Sequence, residues 1–276
     1  MRVAIIASPR SGNSWLKKLL ADTLGLEEFA VHNWHEVINQ LPESCLLQIH
    51  WYREPGFQMF LRDNGFKIVT ITRHPLDILL SVLRFCKYDQ NNARWLEGNC
   101  NLDSLFEQEV SPTCPAFLNW CTSFGCENLL SVTYQWFHEP DVLKVRFEEL
   151  LHNPRETINT LASRIVGTSI SIPDAVLEKY NLLYWKSLPN KHGWQGKAGL
   201  WKELYSRRTC RAIYERHQRV FDVLGYGIDD AMASNSFQKI AERWKELTAE
   251  DPPPPPPPKT TFISSLLAGR KKELVS

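Results

Sequence analysis

A chain of 276 residues is long enough for one large domain or two small ones. Its formal net charge of +1 excludes a global electrostatic field that would draw it to nucleic acid or to an anionic membrane, so any anion binding must come from locally placed groups. Hydrophobic residues make up 43% of the chain, which is enough for a substantial core.

The first predicted element is a buried strand close to the N-terminus. The apolar run Val3–Ala7 passes through a turn of small residues into the amphipathic pattern Ser14–Leu24. Backbone amides of residues 11–15 would converge at the start of that helix, where the helix dipole favours an anion. The segment therefore predicts a strand, an anion-binding loop and a helix N-terminus.

The turn differs from a Walker A loop, which has two glycines and a Lys-Ser/Thr pair to hold phosphate. Here a single glycine, Gly12, follows Arg10, whose guanidinium is charged at any working pH and can reach the same anion. Taken alone, the segment leaves a second interpretation open: an ordinary strand-to-helix turn capped by Ser11 or Asn13.

Two further apolar runs repeat this arrangement. Strands predicted at Lys67–Thr72 and Val142–Arg146 are followed by helical patterns over Pro75–Phe85 and Pro154–Val166. Both helices begin with proline, whose missing N–H costs nothing in a first turn. Strands alternating with helices at this spacing predict βαβ units, and hence a three-layer α/β domain with a central parallel sheet flanked by helices.

The remaining segments are less regular. Residues Lys87–Glu139 show little clean periodicity, and we expect a loop and short helices that cover one edge of the sheet. A long functional loop rich in Trp, Lys and Gly is predicted over Tyr184–Ser206. One helix is then predicted from Arg207 to Leu224, ending at Gly225.

Beyond about residue 230 the composition changes. A charged helix is predicted over Phe237–Thr248, and the seven prolines Pro252–Pro258 must adopt extended polyproline II. We therefore divide the chain into a domain over residues 1–230 and a C-terminal helix with a proline-rich flexible tail over residues 231–276. The tail is a flexible spacer or, alternatively, a docking peptide for the aromatic groove of a partner.

Two motifs resemble those of the sulfotransferase family that uses 3′-phosphoadenosine 5′-phosphosulfate (PAPS). The stretch Ser8–Leu16 resembles its 5′-phosphosulfate loop. The stretch Ile71–Ser81 resembles its 3′-phosphate motif, in which an arginine at the end of a strand precedes a serine by eight residues, as Arg73 precedes Ser81. Taken singly, Arg73 would pair with Asp77 and Ser81 would lie on a helix surface, but two motifs in the right order favour the family.

The resemblance implies a P-loop NTPase-like fold, PAPS as the sulfuryl donor, its desulfated form PAP as the product, and no metal ion. It also places Trp15 against the adenine. The cofactor-binding residues that it implies are Arg10, Ser11, Gly12, Asn13, Ser14, Trp15, Arg73, Ser81, Phe147, Gly196 and Lys197.

Two later segments are similar to the family pattern and also depart from it. In Leu143–Pro154 the usual tyrosine is Phe147, which retains a stacking surface but lacks the hydroxyl. In Gly196–Lys202, which is similar to the loop that closes over the 3′-phosphate, the usual aspartate is Leu200. The Arg-Lys pair that usually precedes this loop is replaced by Trp194 and Gln195. The missing charge could come from Lys197, Lys191 or His192.

Transfer to a hydroxyl also needs a base, and histidine has a suitable pKa. His50 resembles the histidine of the family's Lys-x-His element, which serves as base, although Gln48 stands at the lysine position. The expected catalytic residues are therefore His50, as base, and Arg10, which would stabilise charge on the leaving 5′-phosphate. A core or surface position is the alternative for His50. The histidines that compete with it by residue type alone are His32, His35 and His74.

The predicted function is transfer of a sulfuryl group from PAPS to a hydroxyl or amine of an unidentified small-molecule, lipid or carbohydrate acceptor. A kinase using ATP and Mg²⁺ is one alternative, but it needs a Walker lysine and an aspartate after a strand, whereas Asp77 lies within a helical pattern. A second alternative is a catalytically weak PAP- or PAPS-binding scaffold that recruits partners through its proline tract.

Location is predicted from what the sequence lacks. No stretch approaches the roughly 18 apolar residues of a membrane span, and the first apolar run is too short for a signal peptide. The seven cysteines include no CxxC pair and no metal-ligand spacing, which favours reduced thiols. We therefore expect a cytoplasmic protein with no transmembrane segment and no nucleic-acid partner.

Overall fold

A parallel sheet lies at the centre of the fold. The computed structural model describes residues 1–96, 100–106, 110–188, 193–228 and 235–249. In this part of the chain five strands pair in the order β2-β3-β1-β4-β5, with every neighbouring pair parallel. The strands are β1 (Arg2–Ile6), β2 (Glu27–Ala30), β3 (Cys45–Ile49), β4 (Phe66–Thr72) and β5 (Leu143–Arg146).

Helices cover both faces of the sheet and extend beyond it. Short 3₁₀ turns lie at Trp34–Val37, Arg94–Leu96 and Asp103–Leu105. The described α-helices are α1 (Asn13–Leu24), α2 (Pro55–Asp63), α3 (Pro75–Tyr88), α4 (Gln90–Ala93), α5 (Pro115–Cys121), α6 (Phe124–Phe137), α7 (Phe147–His152), α8 (Pro154–Val166), α9 (Asp174–Lys179), α10 (Leu182–Ser187), α11 (Trp201–Leu204), α12 (Arg207–Arg216), α13 (Gln218–Leu224) and α14 (Phe237–Thr248).

The alternation of side chains along β1 explains the three layers. Val3 and Ile5 pack with residues of α1 and α8 on one face of the sheet. Ala4 and Ile6 point to the opposite face, where they pack with residues of α2 and α6. Because β1 is buried on both faces, it forms a continuous apolar run. The predicted α/β architecture with a central parallel sheet is thus confirmed.

The predicted elements agree with the structure to different degrees. Helix α8 has the predicted bounds, since Pro154 begins it and Gly167 ends it in the left-handed conformation. The three predicted strands are present within one residue at each end, and α3 extends to Tyr88, three residues beyond its predicted end. Strands β2 and β3 were not predicted as strands, and they occupy one side of the sheet.

Two predictions about irregular segments are wrong. Residues 87–139 were expected to form a loop and short helices at a sheet edge, but they contain the fourteen-residue α6, which packs across β1 and β4 at the centre of the sheet. The single helix expected from Arg207 to Leu224 is two helices, α12 and α13. His217 interrupts it with φ of −117°, and its Nε2 lies 2.8 Å from the carbonyl oxygen of Cys121.

The expected loop over residues 184–206 is only partly a loop. Its first four residues belong to α10, and residues 201–204 form α11. Residues 189–192 lie outside the described part of the chain. The described loop residues are those from 193 to 200 and the short connections at 188 and 205–206.

The C-terminal helix has its predicted bounds and packs on the rest of the domain. Helix α14 buries Ile240, Trp244 and Leu247 and contacts α11. The predicted division at residue 230 stays a prediction, and the proline tract Pro252–Pro258 lies outside the described residues. No helix in the described part of the chain is both long and apolar enough to cross a membrane.

Candidate active site

A cavity of about 410 Å³ lies at the carboxyl ends of the strands. This volume falls in the range of roughly 300–1,000 Å³ that is usual for small-molecule sites, and this edge is where α/β sheets bind ligands. Residues directly after β3, β4 and β5 line it. Ser11, predicted as a binding residue, is fully buried and does not line the cavity. The predicted residues that do line it are Arg10, Gly12, Asn13, Ser14, Trp15, His50, Arg73, Ser81, Phe147, Gly196 and Lys197.

The loop after β1 presents a helix N-terminus to this cavity. Gly12 is the N-cap of α1, and no described side chain caps the helix, so the alternative of a cap by Ser11 or Asn13 is not observed. The side chain of Asn13 instead donates from Nδ2 to the carbonyl oxygen of Ser8 at 2.9 Å. The first amides of a helix have no intrahelical partner, which makes this end of α1 suited to an anion.

Gly12 is required by both backbone and space. Its φ of +101° is in the region that favours glycine, and a Cβ added there would lie 2.6 Å from Cδ2 of Phe147. Phe147 in turn meets the indole of Trp15 edge to face, with ring centroids 6.3 Å apart. The loop and the start of α7 therefore pack closely and give this end of the cavity an aromatic wall.

Two arginines, Arg10 and Arg73, are in contact with each other at the site. Arg73 is 8% exposed and donates from Nη1 to the carbonyl oxygen of Arg10 at 3.2 Å, and its guanidinium lies 4.4 Å above the ring of Phe147. Arg10 donates from Nε to Oγ of Ser81 at 3.1 Å. The structure thus brings the side chain of Arg10 to the residue that was predicted to bind the 3′-phosphate.

The environment of these arginines favours an anionic ligand. Burial, followed by the charges of Arg84 and Arg73, lowers the pKa of Arg10 to about 9. Burial likewise lowers the pKa of Arg73. Nε of Arg73 is buried without a hydrogen-bond partner among the described residues. A bound anion would offset both the cost of burying these two guanidinium groups and the repulsion between them.

Asp77 joins α3 to the loop that begins at residue 193. Its carboxylate accepts from the backbone N–H of Gly199 at 2.6 Å and from that of Trp201 at 3.0 Å. It is 1% exposed and does not form the ion pair with Arg73 that was the alternative interpretation. Sequence reasoning missed this role because the partners lie more than 120 residues away along the chain.

His50 is held in one orientation by the backbone. Its Nδ1 lies 2.7 Å from the carbonyl oxygen of Ala7, so Nδ1 donates and Nε2 is the basic nitrogen. Burial lowers the pKa of His50 to about 4, more than the hydrogen bond to Ala7 raises it, and His32 and Arg10 lower it further. The imidazole is therefore neutral at pH 7. Gln48 lines the same cavity two residues earlier on β3.

The other histidines that the sequence offered do not share this position. His32 and His35 are exposed, and His35 hydrogen-bonds Asn33. His74 stacks on Trp201 with ring centroids 4.5 Å apart, and none of the three lines the cavity. The geometry therefore singles out His50 among the predicted bases.

Trp194 and Gln195, which replace the Arg-Lys pair of the family, also line the cavity, but their side-chain N–H groups are bonded to the backbone of α14. Nε1 of Trp194 and Nε2 of Gln195 both donate to the carbonyl oxygen of Leu247, at 3.2 and 3.0 Å. Of the residues predicted to supply the missing charge, Lys197 lines the cavity, and residues 191 and 192 lie outside the described part of the chain.

Sequence reasoning missed part of the apolar end of the cavity. Leu177, Tyr180 and Leu182 lie in no motif and in no predicted functional loop, so only the fold brings them to the site. Leu151 and Pro154, from the segment similar to the family pattern, and Trp185, from the loop predicted over residues 184–206, complete this end.

In the described part of the chain, no three or more His, Cys, Asp or Glu side chains come together in a group that could hold a metal ion. The absence of a metal from the reaction stays a prediction. The positive charges that line the cavity come from Arg10, Arg73 and Lys197.

Comparison with known proteins identifies the family of this chain. The family described as "Sulfotransferase domain" matches residues 1–180. The matched residues include the loop after β1, His50, Arg73, Ser81 and Phe147, and the match ends before the loop that begins at residue 193. No curated protein sequence matches significantly.

Solved structures resemble the fold. The structure of mouse sulfotransferase SULT7A1 complexed with PAP is 14% identical, with a TM-score of 0.57, over 82% of this chain and 89% of that one. Retinol dehydratase, solved in complex with androsterone and inactive cofactor PAP and also with retinol and PAP, is 12% identical with a TM-score of 0.57, over 83% of this chain and 82% of that one. At these identities the likeness establishes a common fold.

Proposed function

The chain belongs to the sulfotransferase family, and we propose that it transfers a sulfuryl group from PAPS to a hydroxyl or amine of a small-molecule, lipid or carbohydrate acceptor. One observation carries this proposal. The uncapped N-terminus of α1, two buried arginines and a neutral histidine line one cavity of suitable size. Each of these features supplies one requirement of sulfuryl transfer.

The residues present fit PAPS. A nucleotide with phosphates on the 3′ and 5′ oxygens of its ribose needs two anion sites and an apolar surface beside them for the adenine. The α1 N-terminus with Arg10 would hold the 5′-phosphosulfate, and Arg73 with Ser81 would hold the 3′-phosphate. The buried Nε of Arg73 and Nε1 of Trp15, which have no partner among the described residues, are donors that such a ligand would satisfy.

The contact between Arg10 and Ser81 ties the two anion sites together. Arg10 belongs to the 5′ loop, yet its Nε donates to Ser81 on α3. Even with its lowered pKa of about 9, Arg10 is protonated at pH 7, so its contribution would be charge and hydrogen bonding. Groups of this kind commonly contribute about 2.7–4 kcal/mol when they face developing charge.

His50 would act as the base. When bound, PAPS would supply the sulfuryl group, and PAP would leave as the S–O bond to its 5′-phosphate breaks. The acceptor must lose a proton as the new S–O or S–N bond forms. Nε2 of His50 is neutral at pH 7 and can accept that proton, while the hydrogen bond from Nδ1 to Ala7 holds the ring in place. A phenol, an apolar alcohol or a sugar would suit the aromatic lining.

Ligand specificity gives the first test. Thermal unfolding is measured with PAP, with ATP plus Mg²⁺, and with buffer. A ligand at about 100 times its Kd stabilises the folded state by about 2.7 kcal/mol, so PAP is expected to raise Tm clearly and ATP is not. Stabilisation by ATP plus Mg²⁺ but not by PAP would contradict the proposal and favour a kinase.

Transfer itself gives the second test. Labelled PAPS is incubated with a panel of phenols, sterols, amines and sugars, and labelled product is counted. A catalytically weak scaffold is the competing function, supported by Gln48, Trp194 and Gln195 at positions where the family has basic residues. PAP binding without transfer to any class of acceptor would favour the scaffold.

A further inference from the structure

The loop beside the cavity is attached to the C-terminal helix at one carbonyl. Leu247 lies in the last turn of α14, where the final four carbonyls of a helix have no intrahelical partner. Its oxygen accepts from both Trp194 Nε1 and Gln195 Nε2. These two side chains also line the cavity, so the helix end and the site share a wall.

The helix is itself held firmly by apolar contacts. Ile240, Trp244 and Leu247 are each less than 9% exposed, and Trp244 meets Trp194 edge to face with ring centroids 5.7 Å apart. Arg243 pairs with Glu203 on α11, but both side chains are more than a third exposed, so this ion pair adds little. The position of Leu247 is therefore set mainly by buried side chains.

The same loop is held from the opposite side by α3. Two residues after Gln195, the carbonyl oxygen of Lys197 accepts from Nη2 of Arg73 at 3.4 Å. Asp77 then holds the amides of Gly199 and Trp201. The loop is thus attached to α14 on one side, and on the other side to α3 and to Arg73, which precedes α3. Arg73 is the arginine of the proposed 3′-phosphate site.

We propose that α14 is a positioning element of the PAPS site and that Trp194 and Gln195 are the positioning residues through which it acts. The proposal rests on the proposed function. In place of two basic side chains, this chain has two side chains whose hydrogen bonds fix the loop relative to Arg73. The C-terminal helix then contributes to cofactor affinity although it lies outside residues 1–180 that match the family.

The test separates positioning from general stability. In the full chain, Trp194→Phe removes the N–H and keeps a ring, and Gln195→Ala removes the other donor. Each variant is expected to weaken PAP binding and raise the KM for PAPS by roughly three- to tenfold, the usual effect of one lost hydrogen bond, with the KM for the acceptor unchanged. Gln238→Ala, at an exposed position on α14 whose side chain donates to Glu242, is the matched control.

A double-mutant cycle tests the route through the helix. Trp244→Phe keeps an aromatic ring but changes the packing of the buried cluster that includes Leu247, and it is combined with Gln195→Ala. If α14 acts through Gln195, the double variant binds PAP less weakly than the two single effects multiplied together. PAP affinity equal to that of the parental chain in Trp194→Phe and Gln195→Ala would overturn this inference alone, whereas a parental chain that fails to bind PAP would overturn the proposed function.

Discussion

The Nδ1 atom of His50 donates to the carbonyl oxygen of Ala7 at 2.7 Å, which joins the end of β3 to the end of β1 beside the cavity. A carbonyl oxygen can only accept, so this contact fixes the tautomer of the ring as well as its orientation. Nε2 is consequently the atom at which a proton would be received.

Replacing this base should stop transfer without removing the cofactor. His50→Ala is expected to lower kcat by about 10²–10⁴-fold, the usual contribution of a positioned general base, while PAP binding measured by calorimetry persists. His152→Ala, an exposed histidine that does not line the cavity, is the control and should retain full turnover. Unchanged turnover in His50→Ala would remove His50 from the mechanism.

The lowered pKa of His50 should make stability depend on pH. The folded state holds this ring neutral down to about pH 4, whereas the unfolded chain binds a proton near 6.5, so the unfolded state is favoured as pH falls between these values. The expected loss from His50 is about 2 kcal/mol between pH 7 and pH 5. Burial lowers the pKa of His74 and His217 in the same direction.

Urea unfolding at pH 7 and pH 5 measures this effect. His50→Gln cannot take up the proton, so its free energy of unfolding should fall less over this interval than that of the parental chain. The contributions of His74 and His217 are the same in both proteins and cancel in the difference. Equal pH dependence in the two proteins would show that His50 titrates normally in the folded state.

Local signals account for the parts of the fold that the sequence predicted. Helix α8 was bounded correctly because Pro154 and Gly167 act through their own backbone. Helix α6 was missed because its buried residues include Gly125, Cys126 and Thr133, which blur the apolar period.

Distant contacts explain the rest. The site residues were identified from short motifs, but their mutual contacts were not. Arg10 to Ser81 spans 71 residues, and Asp77 to Gly199 spans 122. The anchoring of the cavity loop by Leu247 has no counterpart in any local pattern, since it depends on where α14 packs.

Alanine substitutions at Gly12 and Gly25, the glycines at the two ends of α1, distinguish backbone strain from steric crowding by a side chain. Gly12→Ala would place a Cβ 2.6 Å from Phe147 in addition to straining a left-handed backbone, whereas Gly25, at φ of +63°, has no heavy atom within 4 Å of such a Cβ. Both variants should lose about 1–3 kcal/mol of stability. Only Gly12→Ala is expected to weaken PAP binding, because it displaces Phe147. Equal PAP affinities in the two variants would show that Phe147 does not contact the ligand.

Arg73→Lys tests recognition of the 3′-phosphate. Lysine keeps the charge but not the planar fork, so PAP affinity should fall about tenfold, equivalent to 1.4 kcal/mol. Adenosine 5′-phosphate, which lacks the 3′-phosphate, should bind the two proteins equally. The ratio of the two dissociation constants, measured by calorimetry, therefore reports the role of Arg73. Arg62→Lys, at an exposed position paired with Asp63, is the control.

Asp77→Asn should loosen the cavity loop from α3. The carboxylate accepts from two backbone amides, and an asparagine in either orientation turns one acceptor into a donor that faces an N–H. Because residue 77 is 1% exposed, the polar groups left without a partner should lower the free energy of unfolding by about 1–3 kcal/mol. The loop held by these two amides also carries Lys197 in the cavity wall, so PAP affinity should decrease as well. Urea unfolding and calorimetry measure the two effects, with the exposed Asp63→Asn as control, and a stability like that of the control would mean that this loop is held by other contacts.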